Sequence, residues 1–308
     1  MPKIARPANE RLASVNLIEK DGHYEAEVCF MPDPDSLISE GVSRAFFALD
    51  GSKSMKGSYG SDLFSTIPNV VEPLAQGLGK DLAGYFSEPI SLLYWAVGVG
   101  GQEIEEIGDI AQEQFDSLDI GGPSKRWGTG TKLMPALKYV TEYGAKGSTF
   151  ALGVFFTDGF IEDEKEVREY CYSFGEKLVG EGAADWFKLV IIGVGEEVDR
   201  EQLIRLDDMF EGTPLEGKID LWSSGVYSDW REVWHARGVL FGESNNQTIP
   251  GSARVVDDQG NELARYPDNV PGKIRFDVPA DAAEFVIKLQ GDVEIRQPLK
   301  GAGVTLVP

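Results

Sequence analysis

The sequence predicts an α/β protein, a doubly wound and mostly parallel sheet, joined to a small antiparallel β domain. Three observations carry this expectation. Four continuous apolar runs, at residues 45–49, 90–97, 150–156 and 187–194, have the character of parallel strands buried on both faces. Between them lie segments whose apolar residues recur at three and four positions, the period of a helix packed on one side. Beyond residue 250 the pattern changes to short alternating segments separated by turn residues. Strands alternating with helices form doubly wound sheets, and such sheets bind ligands at the carboxyl ends of their strands.

The elements follow in order. Residues 13–30 read as a hairpin. Tyr24, Ala26, Val28 and Phe30 alternate with His23, Glu25, Glu27 and Cys29, and Asp21-Gly22 supplies the turn. Met31-Pro32-Asp33-Pro34-Asp35 breaks the pattern as a linker. After the first apolar strand, Leu63, Phe64, Ile67, Val70, Val71, Leu74 and Leu78 form a helical stripe that Pro68 and Pro73 should kink or shorten. Residues 103–118 fit a short strand and then a helix. Leu133, Leu137 and Val140 mark a second stripe, and Val167, Tyr170, Cys171, Phe174 and Leu178 a third. Asp199-Arg200-Glu201-Gln202 and Asp229-Trp230-Arg231-Glu232 read as capping boxes. In the last part, Asp258-Gln259-Gly260 joins two strands. Ile274, Phe276 and Val278, then Phe285, Ile287 and Leu289, then Val293 and Ile295, continue a small sandwich or barrel. The expected domains are 38–237 and 238–308, the second completed by the N-terminal hairpin 11–31.

Composition narrows the function classes. Acidic residues outnumber basic ones by 51 to 29, a formal charge of -22, which argues against nucleic acid and anionic membrane surfaces as partners. A ligand carboxylate meeting so acidic a protein is expected on a basic or neutral surface. Met1-Pro2-Lys3-Ile4-Ala5-Arg6-Pro7 contains no apolar core of a secretory signal, and no apolar run reaches membrane-spanning length. Cys29 and Cys171 are too few for a disulfide framework and read as small core residues. These features lead to the expectation of a cytoplasmic protein.

Three short segments concentrate oxygen side chains. Asp50-Gly51-Ser52-Lys53-Ser54 follows the first apolar strand, Thr131 opens the segment before the Leu133 stripe, and Thr157-Asp158-Gly159 ends the strand at 150–156. Each is an ordinary turn sequence by itself, because Asp and Ser readily cap nearby backbone N–H groups. Three in this order, two of them carboxylates at buried strand ends, suggest a common purpose. Asp50 and Asp158 provide two negative charges, and Ser52, Ser54 and Thr131 three neutral oxygens. That set suits Mg²⁺ or Mn²⁺ better than Ca²⁺, which takes more ligands, and the absence of Cys and His argues against zinc.

With these residues the chain resembles the von Willebrand factor A (vWA) family and its metal-ion-dependent adhesion site, D-x-S-x-S…T…D, over roughly residues 38–237. The resemblance implies that Asp50, Ser52, Ser54, Thr131 and Asp158 form the cation site. It implies that a position left open on the metal accepts a Glu or Asp from a partner protein, with Thr131 contacting the ion mainly in the ligand-bound state. It also implies an edge strand near Ile104 and an AAA+ ATPase as one class of partner. The Trp127 segment and the Asp158 turn are similar, more weakly, to members associated with tellurium-resistance and stress systems.

Rival readings remain at this level. A metal-dependent hydrolase would use the same residues, with Ser52 or Ser54 as nucleophile and Asp158 as acid or base. The two histidines, His23 and His235, lie far from that loop in sequence, and neither G-x-S-x-G nor H-E-x-x-H occurs. A structural scaffold would instead bind partners through the β domain. Gly98, Gly100 and Gly101 do not form G-x-G-x-x-G, and no Walker A sequence exists, so nucleotide binding is not expected. Glu162, Asp163, Glu164 and Glu166 fit either a second cation site or favourable charge at a helix N-terminus. The tryptophans fit core positions, except Trp127, whose loop leads to Thr131 and which suits a partner-facing rim or a ring folded onto the domain.

Overall fold

The computed structural model describes residues 3–5, 7–9, 11–31, 42–61, 68–144, 146–183, 186–195, 197–227, 240 and 248–300. In chain order the strands are β1 Lys3–Ala5, β2 Leu12–Lys20, β3 His23–Phe30, β4 Ser43–Asp50, β5 Ile90–Val97, β6 Glu103–Ile110, β7 Phe150–Thr157, β8 Phe187–Val194, β9 Trp222–Tyr227, β10 Thr248–Ile249, β11 Ala253–Asp257, β12 Glu262–Tyr266, β13 Val270–Pro271, β14 Lys273–Pro279, β15 Glu284–Leu289 and β16 Val293–Pro298. The helices are α1 Val71–Ala83, α2 Met134–Gly144, α3 Glu164–Gly180 and α4 Arg200–Asp207. The chain divides into two compact units, residues 34–233 and residues 1–33 with 234–308. Among the described residues no helix is long and apolar enough to cross a membrane.

The first unit is built on a six-stranded sheet in the order β6-β5-β4-β7-β8-β9. All pairings are parallel except that of β5 with the edge strand β6. This is the doubly wound α/β class predicted from the sequence. Phe46, Ala48, Leu93, Trp95, Phe155, Leu189 and Ile191 pack with α2, α3 and α4 on one face. Alternate residues such as Phe47 and Phe156, whose rings lie 4.9 Å apart, point to the opposite face, and α1 packs on β4 and β5. The four inner strands β4, β5, β7 and β8 are apolar along most of their length because neither face meets water. From β4 the chain moves to β5 on one side and later to β7 on the other. The carboxyl ends of β4 and β7 therefore flank the point where the winding reverses.

Several details depart from the sequence reading. α1 begins only at Val71, and the earlier residues of its expected stripe, 62–67, lie outside the described residues. Pro73 falls in the first turn, where a missing N–H breaks no helical bond. Asn69 Oδ1 caps the helix by accepting from the N–H groups of Val71 and Glu72, at 3.1 and 3.0 Å. Residues 112–117 form a 3₁₀ turn rather than an α-helix. Its Phe115 ring presses on α1 at Gly79, where a Cβ would stand 2.1 Å away. β9 was not expected, because Ser223, Ser224 and Gly225 interrupt any apolar run; Leu189 to Val194 recruit it by parallel pairing. Asp199 caps α4 through Gln202 N, but the Gln202 side chain bonds elsewhere, so the box is half formed. The expected box at 229–232 lies outside the described residues. Trp95 and Trp222 are buried, whereas Trp186, just before β8, is about half exposed and is not core.

The second unit holds two four-stranded antiparallel sheets, β1-β2-β3-β14 and β12-β11-β15-β16. β3 pairs with β14 from Cys29↔Lys273 to His23↔Pro279, so the N-terminal hairpin and the C-terminal segment share one sheet. Leu12, Val15, Leu17, Val28 and Phe30 of one sheet and Val255, Phe285, Ile287 and Ile295 of the other form a common core. Phe276 meets Phe285 edge to face at 5.0 Å across it.

Candidate metal centre

The sheet delivers Asp50 as the last residue of β4 and Asp158 as the residue after β7. Asp50 is fully buried. Its Oδ1 accepts from Ser52 N at 2.7 Å and its Oδ2 from Thr157 Oγ1 at 2.7 Å. Tyr59 Oη donates to its carbonyl at 3.0 Å. Ser52 Oγ lies 2.9 Å from Ser54 Oγ, which donates to Asp158 Oδ1 at 2.8 Å. Gly159 brings in the fifth residue, since a Cβ there would stand 3.8 Å from Thr131 Oγ1 and 4.0 Å from Ser54 Oγ. All five sequence-selected residues thus gather at the carboxyl ends of β4 and β7. The hydroxyl of Thr157 and the phenol of Tyr59 join them without having been singled out. The sequence signal for Thr157 was its place before Asp158 at a strand end.

The loops are held together mainly by backbone. Gly51 N donates to Trp95 O at 2.8 Å, Gly128 N to Gly51 O at 2.9 Å and Lys53 N to Gly128 O at 3.0 Å. Gly128 is required: a Cβ there would come within 1.7 Å of Ala96 O. Ala96 itself has φ 54, a left-handed conformation rare outside glycine, at a register shift between β5 and β6. The Trp95 carbonyl that Gly51 N meets continues the parallel pairing of β4 with β5, and the Ala96 carbonyl lies against Gly128.

The Thr131 loop is anchored from the other side. Glu162 N donates to Thr131 O at 2.9 Å. The buried Asp163 carboxylate accepts from Leu133 N and Met134 N at 2.9 and 3.0 Å, capping α2 rather than serving only its own helix. Glu164 forms a two-pronged pair with Arg205 at 2.9 and 2.8 Å. Gln202 bonds both the N–H and the carbonyl of Ile161 at 2.8 Å. Asp163 and Glu164 are therefore committed to structure and do not form a second cation site. Trp127 is partly buried, its ring 5.3 Å from that of Tyr59, with Lys56 Nζ 5.7 Å above it.

The electrostatics of the carboxylates favour a bound cation. Burial, then the charge of Asp158, pushes the Asp50 carboxyl up to about 7, against the bonds from Thr157 and Ser52. Asp158 is likewise raised, by burial and by Glu197. No Lys or Arg among the described residues forms an ion pair with either. Nor does any group of three or more His, Cys, Asp or Glu among them stand ready for a metal. The donors here are instead two carboxylates and three hydroxyls, an all-oxygen set that fits a hard cation such as Mg²⁺. Two carboxylates facing one another without a counter-charge are costly, and a cation between them removes that cost. Of the two histidines, His23 lies in β3 of the other unit, 3.5 Å from Asp277, and His235 is outside the described residues.

No family model matches the chain, and no curated protein matches it. Among solved structures it is similar to a von Willebrand factor type A protein from Catenulispora acidiphila, at 12% identity and a TM-score of 0.41, over 96% of this chain and 75% of that one. It is also similar to the pilus adhesin SpaC from Lactobacillus rhamnosus GG, at 11% identity and a TM-score of 0.43. There it covers 92% of this chain but only 46% of the adhesin. A third is the SpRpn10 VWA domain, at 11% identity and a TM-score of 0.38, over 60% and 88% of the two chains.

Proposed function

We propose that residues 38–237 form a Mg²⁺-dependent protein-binding module in which the cation joins this chain to a carboxylate of a partner. Asp50, Ser52, Ser54, Thr131 and Asp158 would hold the metal, directly or through water. The observation that carries the reading is the buried Asp50, raised to about 7 beside Asp158 and given hydroxyl and amide partners but no described basic one. When bound, the metal supplies a Lewis-acidic position for a carboxylate oxygen. The chain's own residues hold that position rigid through Gly128, Asp163 and Gln202. An AAA+ ATPase or a stress-related assembly is the partner class that the vWA resemblance adds, and a cytoplasmic location belongs to the same reading. The β unit, completed by the hairpin 11–31, is read as an accessory domain.

The test is a pull-down with the full chain in Mg²⁺ against excess chelator, with Asp50→Ala as a parallel bait. A partner retained only in Mg²⁺ and only by the unaltered chain supports the module. Partners that ignore both changes would move the function to the β unit. Turnover of a phosphate ester that disappears in Asp50→Ala would instead establish the hydrolase.

A further inference from the structure

The loops around the candidate metal centre have a charge opposite to that of the chain as a whole. From residue 51 to 61 and from 120 to 135 there is no Asp or Glu, but there are Lys53, Lys56, Lys125, Arg126 and Lys132, in a protein with 51 acidic and 29 basic residues. The two segments are neighbours in space. Ser52 bridges Gly128, Lys53 N donates to Gly128 O, and Lys56 Nζ sits over the Trp127 ring. Lys53, Lys125 and Arg126 are exposed. Among the described residues none of these cations forms an ion pair, whereas Lys80, Lys188, Arg205, Arg275 and Arg296 each do. They are not used to neutralise Asp50 or Asp158 either.

The acidic groups nearby are arranged differently. Glu105 is spent holding the N–H groups of Ser124 and Lys125. Glu103 lies against Gly98, Glu162 against Gly130, and the charge of Glu197 acts on Asp158. Glu162 and Glu197 thus border the Thr131 and Asp158 loops, while Glu103 and Glu105 border the loop of Lys125 and Arg126, where Glu105 is taken up by backbone N–H groups and feels the charge of Lys125 without forming an ion pair with it. Val99 and Phe160, 65% and 52% exposed, stand on the adjoining loops.

We infer that the partner is an acidic peptide segment, whose metal-bound Glu or Asp is followed by further carboxylates over Lys53, Lys125, Arg126 and Lys56. This rests on the adhesion reading and refines it. The overall charge by itself points to a basic or neutral partner surface. The local field is set by the nearest groups, because salt screens charges beyond about 8–10 Å. Free cations beside a focused site raise the encounter rate and orient an anionic ligand.

The experiment titrates the full chain, at saturating Mg²⁺, into labelled short peptides with one central Glu flanked by acidic, Gly/Ser or Lys residues. The acidic-flanked peptide should bind about tenfold tighter than the neutral one, two or three exposed pairs each contributing a few-fold. High salt should erase the difference, and Lys125→Glu with Arg126→Glu should transfer the preference to the Lys-flanked peptide. If Mg²⁺-dependent binding occurs with equal or better affinity for the Lys-flanked peptide, the acidic-partner inference is wrong while the metal reading stands. If single-stranded DNA competes as well as the acidic peptide, the rim is a general anion surface and the inference is also wrong. If binding survives chelator and Asp50→Ala, the metal reading falls and takes the inference with it.

Discussion

Replacing Asp50 with Asn should raise the stability of the α/β unit in a chelator and abolish its response to Mg²⁺. The wild-type carboxyl is fully buried and titrates at about 7 instead of 3.8, first through burial and then through the charge of Asp158. Its folded-state value lies above its unfolded one, so its contribution favours folding at low pH and is lost as pH rises through about 7. Well above that point, burial of the charged carboxylate and its repulsion from Asp158 cost about 4 kcal/mol. Asn preserves the local bonds: its Oδ1 can accept from Ser52 N, and its Nδ2 can donate to Thr157 Oγ1 once that hydroxyl turns. At pH of about 8 in chelator the variant should gain up to about 4 kcal/mol, roughly 10 °C in Tm for a unit of this size. The gap should shrink as pH falls from about 7 towards 3.8. With Mg²⁺ at about a hundred times its Kd, the wild type should recover about 2.7 kcal/mol and the variant nothing. Buried Trp95 and Trp222 report unfolding of this unit by fluorescence. An Asn variant less stable than wild type in chelator, or one equally stabilised by Mg²⁺, would refute the reasoning.

Other outcomes follow from the same geometry. Given the vWA resemblance, which implies that Thr131 contacts the ion mainly in the ligand-bound state, Thr131→Ala should weaken partner retention more than it weakens Mg²⁺ affinity by calorimetry. Gly128→Ala should destabilise the unit by about 2–4 kcal/mol in urea unfolding, because its Cβ would meet Ala96 O at 1.7 Å and backbone cannot yield cheaply. Gln202→Ala should cost about 1–3 kcal/mol, since it leaves the buried N–H and carbonyl of Ile161 without their partner. Hydrogen exchange in that variant should speed up at Ile161 and Glu162 before it does in β4.

The legible parts of the molecule were those governed by local physics. A strand covered on both faces needs an unbroken apolar run, so β4, β5, β7 and β8 stand out in the sequence, as do the stripes of α2 and α3. Turn residues at strand ends are equally visible, and with them the Asp50, Thr131 and Asp158 segments. β9 was invisible because its strand character comes from pairing with β8 and not from its own composition. The stripe of α1 runs on in the sequence beyond the cap at Asn69, and only its part from Val71 onward lies in the described helix, which starts after Pro68.

Sequence by itself therefore determined the fold class, the order of the buried strands and which oxygen-bearing side chains sit at their ends. Tertiary structure decided how those side chains are held. Thr157 reaches Asp50 across 107 positions, Asp163 caps a helix 30 residues earlier, and Gln202 secures Ile161 from 41 residues away. It also decided the left-handed turn at Ala96 and the pairing of basic loops around an acidic protein's candidate site. A pattern of residue types records what each segment buries. Which distant group satisfies a given carboxylate or amide depends on where the winding of the sheet brings separate loops together.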